Sequence, residues 1–239
     1  MRDRGFETGT AAAPLGRWRR GVIRLQRGRQ TVNGPLVMKL GGSLLQLSGW
    51  PSLVRDLVDS PGQRAITIVV GGGPVVDGLR AADAAASLPG EDWNGLLHGL
   101  AIDGMRLTAR LVAGAVGLPL AEEPAAEERG GPIVLDAAAW LSHGDRLGSL
   151  PAGWQVTSDS IAASVAAAAG CELMLAKRVP PPPCPADGRL LESLSAAGWV
   201  DDHFPVAAAG LPAISWAAPE GAFYTAPTRA SRGLDIPDR

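Results

Sequence analysis

The sequence predicts an α/β domain, a mostly parallel sheet with helices on both faces. Short apolar runs of four to six residues recur along the chain, separated by longer stretches with helical spacing. One of these runs, Ala65–Val70, is β-branched and apolar throughout rather than alternating, as a strand covered on both faces should be. Two of the runs end directly in glycines, at Gly41-Gly42 and Gly71-Gly72-Gly73, where a strand would turn into the next helix.

The elements follow in order. Residues 1–33 carry Arg2, Arg4, Arg17, Arg19, Arg20, Arg24, Arg27 and Arg29 without an apolar period. They predict a flexible basic leader ahead of a single domain over 34–239. No apolar stretch follows Arg19-Arg20 as an export signal requires. Pro35–Leu40 reads as a buried strand, and a helix begins near Pro51, because proline suits a first turn. After Ala65–Val70, Pro74 opens an alanine-rich helix to about Leu88. A longer helix spans Trp93 to Val116, with Leu96, Leu97, Leu100, Leu107, Leu111 and Val112 as its expected apolar face. Ala121–Gly131 is acidic and loop-like, and Pro132–Leu135 is a short strand before a helical turn at Ala137–Leu141. Ser158–Ala169 is helical and Cys171–Ala176 the next strand, ended by the four-proline break Pro180–Pro183. Short helices at Arg189–Ala197 and His203–Ala209 lead to a last strand at Ala213–Trp216.

Composition narrows the function classes. With 239 residues, 46% of them hydrophobic, the chain can bury a sizeable core, yet no apolar run of ~18 residues exists to cross a bilayer. A net charge of −2 gives no global basic field for nucleic acid. Cys171 and Cys184 make neither a disulfide framework nor a zinc site, and His98, His143 and His203 are scattered, so no metal site is predicted. A reduced, cytoplasmic setting is the expectation. Only two of the 22 basic residues are lysines, Lys39 and Lys177.

Three places carry candidate chemistry. In open α/β sheets, ligands gather beyond the carboxyl ends of the strands. There, Gly41-Gly42-Ser43 and Gly71-Gly72-Gly73 let backbone N–H groups approach an anion, and the following helix dipole favours negative charge. Each loop alone is equally a tight strand-to-helix turn, and neither has the spacing of a P-loop or a dinucleotide fingerprint. Lys39 precedes the first loop by two residues, and a lysine on a buried strand is costly unless its charge meets an anion. The third place is Thr157-Ser158-Asp159. It serves as an N-cap with an acidic first turn, or it places Asp159 to orient a phosphate-binding lysine or share a Mg²⁺ shell. His98 reads as a satisfied core or surface imidazole. Trp140, Trp154 and Trp199 read as core anchors.

Lys39-Leu-Gly41-Gly42-Ser43, then a strand into Gly71-Gly72-Gly73, then Thr157-Ser158-Asp159 opening a helix, together resemble the amino acid kinase family over residues 35–216. The resemblance implies a three-layer αβα sandwich, a homo-oligomer, and phosphoryl transfer from Mg-ATP to a small-molecule acceptor. His98 within a helix, Pro132–Leu141, Leu150–Ala163 and Gly198–Pro205 are similar to the branch that phosphorylates (aminomethyl)furanylmethyl phosphate in methanofuran biosynthesis, extending a phosphate monoester to a diphosphate. Other acceptors of the family, uridine monophosphate or an acyl-amino acid, and an inactive nucleotide-binding or regulatory homologue, are the alternatives. By resemblance, Lys39 neutralises the transferred phosphoryl group and Asp159 holds that lysine. Gly41, Gly42, Ser43 and Lys177 bind nucleotide phosphates, and Gly71, Gly72, Gly73, Thr157 and Ser158 bind the acceptor. The chain departs from the family after its Cys171–Ala176 strand. Lys177-Arg178-Val179-Pro180 replaces a Val-Asp-Gly loop, and no lysine follows Lys177, so an arginine, Lys177 itself or nothing fills the late-lysine position.

Overall fold

A computed structural model describes residues 18–23, 34–60, 64–126, 130–183 and 189–220. The chain begins with β1 (Trp18–Ile23), β2 (Leu36–Leu40), a 3-10 turn at Gly42–Gln46 and α1 (Trp50–Asp59). Next come β3 (Ile66–Val70), α2 (Gly73–Ala86), α3 (Glu91–Val116), β4 (Leu120–Ala121) and β5 (Pro132–Leu135). The remainder is α4 (Ala137–Ser142), α5 (Ser158–Ala169), β6 (Glu172–Ala176), α6 (Leu190–Ala196), α7 (Phe204–Ala207) and β7 (Ile214–Pro219). Among the described residues the strands form one seven-stranded sheet in the order β1-β7-β6-β2-β3-β5-β4, parallel except for β1. The α/β class and the mostly parallel sheet are thus as the sequence predicts.

Apolar side chains alternate between two cores. On one face Leu36, Met38 and Leu40 of β2 and Ile66, Ile68 and Val70 of β3 pack on Val54 and Leu57 of α1 and on Val112 and Val116 of α3. On the other, Val37, Val69, Leu173 and Leu175 pack on Ile161, Ala162 and Val165 of α5 and on Phe204. The result is three layers, helix, sheet and helix. Because strand side chains alternate with a period of two, Lys39 shares the side of Val37 and faces α5. At the opposite end of the strands Arg64 donates to the Gly34 carbonyl at 2.6 Å and to Glu172 at 3.1 Å, fastening the entries of β2 and β6.

Three differences from the sequence reading have physical causes. Residues 18–23 form a strand within the expected leader, antiparallel to β7 with Gly21 opposite Trp216; the rest of residues 1–33 lies outside the described residues. β4 adds a two-residue parallel edge to β5, where a loop was expected to begin. The expected apolar face of α3 is also corrected. Leu96, Leu100, Leu107 and Leu111 are 43–57% exposed, whereas Leu97, Ile102, Met105, Ala109, Val112 and Val116 are buried. Gly104 of the helix lies against Val75 and Val76 of α2, which lets the two helices approach closely.

Candidate active site

At the carboxyl ends of β2, β3 and β6 a cavity of about 320 Å³ opens, within the usual size of a small-ligand site. All the residues predicted for the site except Asp159 line it; Asp159 is buried at its floor.

The two glycine loops form one packed unit. Gly71 N–H donates to the Leu40 carbonyl at 2.8 Å, which ties the end of β3 to the end of β2. A Cβ on Gly42 would overlap the backbone N and Cα of Gly73 and lie 2.8 Å from the Gly71 carbonyl oxygen. Gly73 itself has φ of +49°, and its own Cβ would lie 2.7 Å from the Gly42 carbonyl oxygen. These glycines are therefore required by the approach of one loop to the other, beyond any access they give an anion. Two assignments are narrowed: Gly41 N–H is spent on the Ala176 carbonyl at 2.8 Å and Gly71 N–H on the Leu40 carbonyl, so neither is free for phosphate. Gly42 and Ser43 open the 3-10 turn, where the first N–H groups have no acceptor within the turn. Gly42→Ala is expected to force the loops apart and lower stability by about 2 kcal/mol, the ordinary cost of overpacking. Thermal unfolding should show a Tm lower by about 4–8 °C. Gly78→Ala, on α2 with open space at its Cβ, should leave Tm unchanged or raised.

The charges meet at one carboxylate. Lys39 Nζ lies 2.9 Å from Asp159 Oδ1 and Lys177 Nζ lies 2.7 Å from Asp159 Oδ2. The chain's two lysines, 138 positions apart in the sequence, thus share one counter-ion, and Lys177 also donates to the Trp199 carbonyl. The side chains of Lys39, Asp159 and Lys177 are 8, 7 and 13% exposed. Burial acts to raise the Asp159 carboxyl, but the fields and hydrogen bonds of the two lysines outweigh it and hold the group below its ordinary value. Burial lowers Lys177 to about 8, and the like charge of Lys39 adds to this, while Asp159 and Asp201 oppose. Lys39 and Lys177 both line the cavity, so an anionic ligand entering it meets two ammonium groups, with Asp159 and Asp201 balancing them from behind.

Asp201, a residue the sequence reading missed, holds the start of α5. It accepts from Thr157 N–H at 2.8 Å, Thr157 Oγ1 at 2.7 Å and Ser160 N–H at 3.1 Å, and from the Ser160 hydroxyl. Thr157 is the N-cap, as predicted, its Oγ1 accepting from Asp159 N–H at 3.4 Å. Its hydroxyl proton is committed to Asp201, so Thr157 positions the turn that carries Asp159. The only signal was the acidic pair Asp201-Asp202 after Trp199-Val200, with nothing in its spacing to connect it to Thr157.

The far wall comes from α2, α3 and the loop before α5. Trp154 lines the cavity, where a core anchor was expected. Asp83 fixes it, accepting from Trp154 Nε1 at 2.7 Å and from Trp93 Nε1 at 2.8 Å, and Arg80 lies over the Trp154 ring at 4.8 Å. Trp140 is a core residue as expected, and Trp199 is buried but also lines the cavity. Trp199 Nε1 donates to the Val179 carbonyl at 3.1 Å, closing the proline-rich loop that follows β6. His98 is 8% exposed and lines the cavity, but its Nε2 has no partner, so it is not the satisfied imidazole expected.

Residues 34–132 match the model of the amino acid kinase family. The matched stretch carries Lys39 and both glycine loops, while Asp159 and Lys177 lie beyond it. No curated protein matches the chain. Among solved structures, it is similar to uridylate kinase from Archaeoglobus fulgidus, at 17% identity over 73% of this chain and 84% of that one, with a TM-score of 0.46. It is similar to aspartate kinase from Synechocystis at 17% identity over 77% of this chain, with a TM-score of 0.46, and spans only 40% of that protein's chain. UMP kinase from Bacillus anthracis aligns at 12% identity over 78% of this chain and 96% of that one, with a TM-score of 0.44.

Proposed function

We propose that this protein is an ATP-dependent kinase that phosphorylates a small phosphate monoester, in the making of a methanofuran-type one-carbon cofactor. The observation that carries the reading is the Lys39–Asp159–Lys177 array at the foot of two interlocked glycine loops. Phosphoryl transfer asks a protein mainly for positioning and charge neutralisation, and this site offers both. Lys177 and the N–H groups of Gly42 and Ser43 hold the nucleotide phosphates. Lys39 neutralises the transferred group, and Asp159 keeps both ammonium groups in place. Gly72, Gly73 and Ser158 meet the acceptor phosphate where α2 and α5 present their N-terminal dipoles. An oxygen of that phosphate attacks the terminal phosphorus in line. The bond to the bridging oxygen breaks, and its electron pair leaves with ADP. The attacking oxygen is already ionised, so no general base is needed.

Mg²⁺ neutralises nucleotide phosphate charge in such reactions. Among the described residues no group of three or more His, Cys, Asp or Glu side chains could hold a metal ion, and Asp159 is occupied by two lysines. The residues fit a nucleotide whose own phosphates bring the ion, rather than a protein cage for it. The reading keeps a cytoplasmic homo-oligomer, and the exposed stripe Leu96, Leu100, Leu107 and Leu111 on α3 supports self-association.

The test is ADP formation by the full chain against a panel: (aminomethyl)furanylmethyl phosphate, uridine monophosphate, N-acetylglutamate and simple phosphate monoesters. Turnover is expected with phosphate monoesters, fastest with the furan compound. Turnover confined to N-acetylglutamate or uridine monophosphate would replace the acceptor. ATP binding without ADP formation would overturn transfer in favour of a nucleotide-binding subunit.

A further inference from the structure

The far wall of the cavity says something about the acceptor's body. Ile102 and Met105 of α3 line it, together with Val76, Trp154 and Val156. Beside these apolar residues, and with Asp77 and Arg80 of α2 also lining the cavity, α3 brings His98, nine-tenths buried, whose Nε2 finds no hydrogen-bond partner. The indole N–H of Trp154, which lines the same cavity, is already committed to Asp83. An unpaired buried nitrogen is costly, and such groups in a binding cavity are satisfied when the ligand arrives. Burial also holds the imidazole below its ordinary value, with a backbone hydrogen bond at Gly153 opposing, which favours its neutral form. A neutral imidazole pairs with a hydroxyl, amine or carbonyl group rather than with a second phosphate.

We propose that His98 is a specificity-determining residue whose Nε2 hydrogen-bonds a single polar substituent on the otherwise compact, apolar body of the acceptor. The proposal rests on the phosphate-ester reading above, and it adds the chemistry of the end that does not react. The acceptor class is a phosphate monoester whose apolar group, seated against Ile102, Met105 and Trp154, bears one hydrogen-bonding substituent.

The experiment compares benzyl phosphate with 3-(hydroxymethyl)benzyl phosphate, by calorimetric binding to the full chain and separately by ADP formation with ATP. Wild-type protein should bind the hydroxymethyl ester about tenfold more tightly, the worth of one good hydrogen bond to a buried group. His98→Leu should reduce that ratio to about one and leave benzyl phosphate affinity within about threefold of wild type. His98→Gln, which keeps a polar group at the position, should restore part of the preference. An equal preference in wild type and His98→Leu, or none in wild type, overturns the role of His98. If ADP forms but no preference is seen, the kinase reading stands without it. If the preference appears without ADP formation from any ester, His98 stands and phosphoryl transfer falls.

Discussion

Asp159→Asn protein is expected to melt lower and to turn over at least about a hundredfold more slowly than wild type. The substitution removes the only negative charge shared by Lys39 and Lys177, which approach it at 2.9 and 2.7 Å. Breaking a buried ion pair by removing one partner costs about 3–5 kcal/mol, because the surviving charge is left uncompensated. Part of that cost can be shed by releasing a proton from Lys177, already lowered to about 8 with Asp159 opposing the shift. The sign follows from proton counting. A lysine whose folded value lies below its unfolded value of about 10.4 makes the unfolded state bind more protons between the two. Stability then rises with pH across that window. In Asp159→Asn protein the folded value falls further, so the window opens at lower pH, and the deficit against wild type should shrink from pH 7 to pH 9. Melting curves across that range measure it. A deficit that stays constant with pH would mean that the lysines do not depend on Asp159 for their charge.

Lys39→Ala should fold and lose about 3–4 kcal/mol of transition-state stabilisation, or roughly a hundred- to a thousandfold in kcat. Near-wild-type turnover would remove Lys39 from the mechanism. The same substitution has a second effect that a merely structural lysine would not produce. Lys39 is the like charge that helps burial lower Lys177. Without it Lys177 keeps its proton to higher pH. In wild type, ATP affinity should fall as pH rises through about 8, where Lys177 becomes neutral. In Lys39→Ala protein that fall should move to higher pH. Calorimetric ATP binding from pH 7 to 10 separates the two curves, and coincident curves would sever the link between the lysines.

Much of the fold is legible because β2, β3, β5 and β6 are short apolar runs bounded by glycine or proline, and α2 opens at Pro74 directly after three glycines. The predicted site residues do converge, since strand ends and helix starts in a parallel sheet gather at one edge. The rest was illegible for a common reason. Asp201 on Thr157, Asp83 between two indoles and Lys177 on Asp159 are side-chain ties between loops and elements distant in sequence, and such ties leave no period. On α3 leucines occur on both sides, so hydrophobicity alone does not tell Leu97, which is buried, from Leu96 and Leu100, which are exposed. In His98 the periodicity marks a helix, but whether a neighbour satisfies its ring is written only in three dimensions.

β1 shields more than it appears to from its length. Its six residues cover the outer hydrogen-bonding row of β7, with Trp18 Nε1 anchored to the Leu53 carbonyl of α1 at 3.1 Å. On its two faces it presents Arg19 and Arg20, exposed charged side chains of the kind that discourage one sheet edge from adding to another. A chain trimmed to begin at Pro35, as its text would invite, keeps every residue of the candidate site. It would also bare Ile214–Pro219 as an apolar template for aggregation. The arginine-rich preface that looks dispensable is, over this short stretch, the protein's guard against itself.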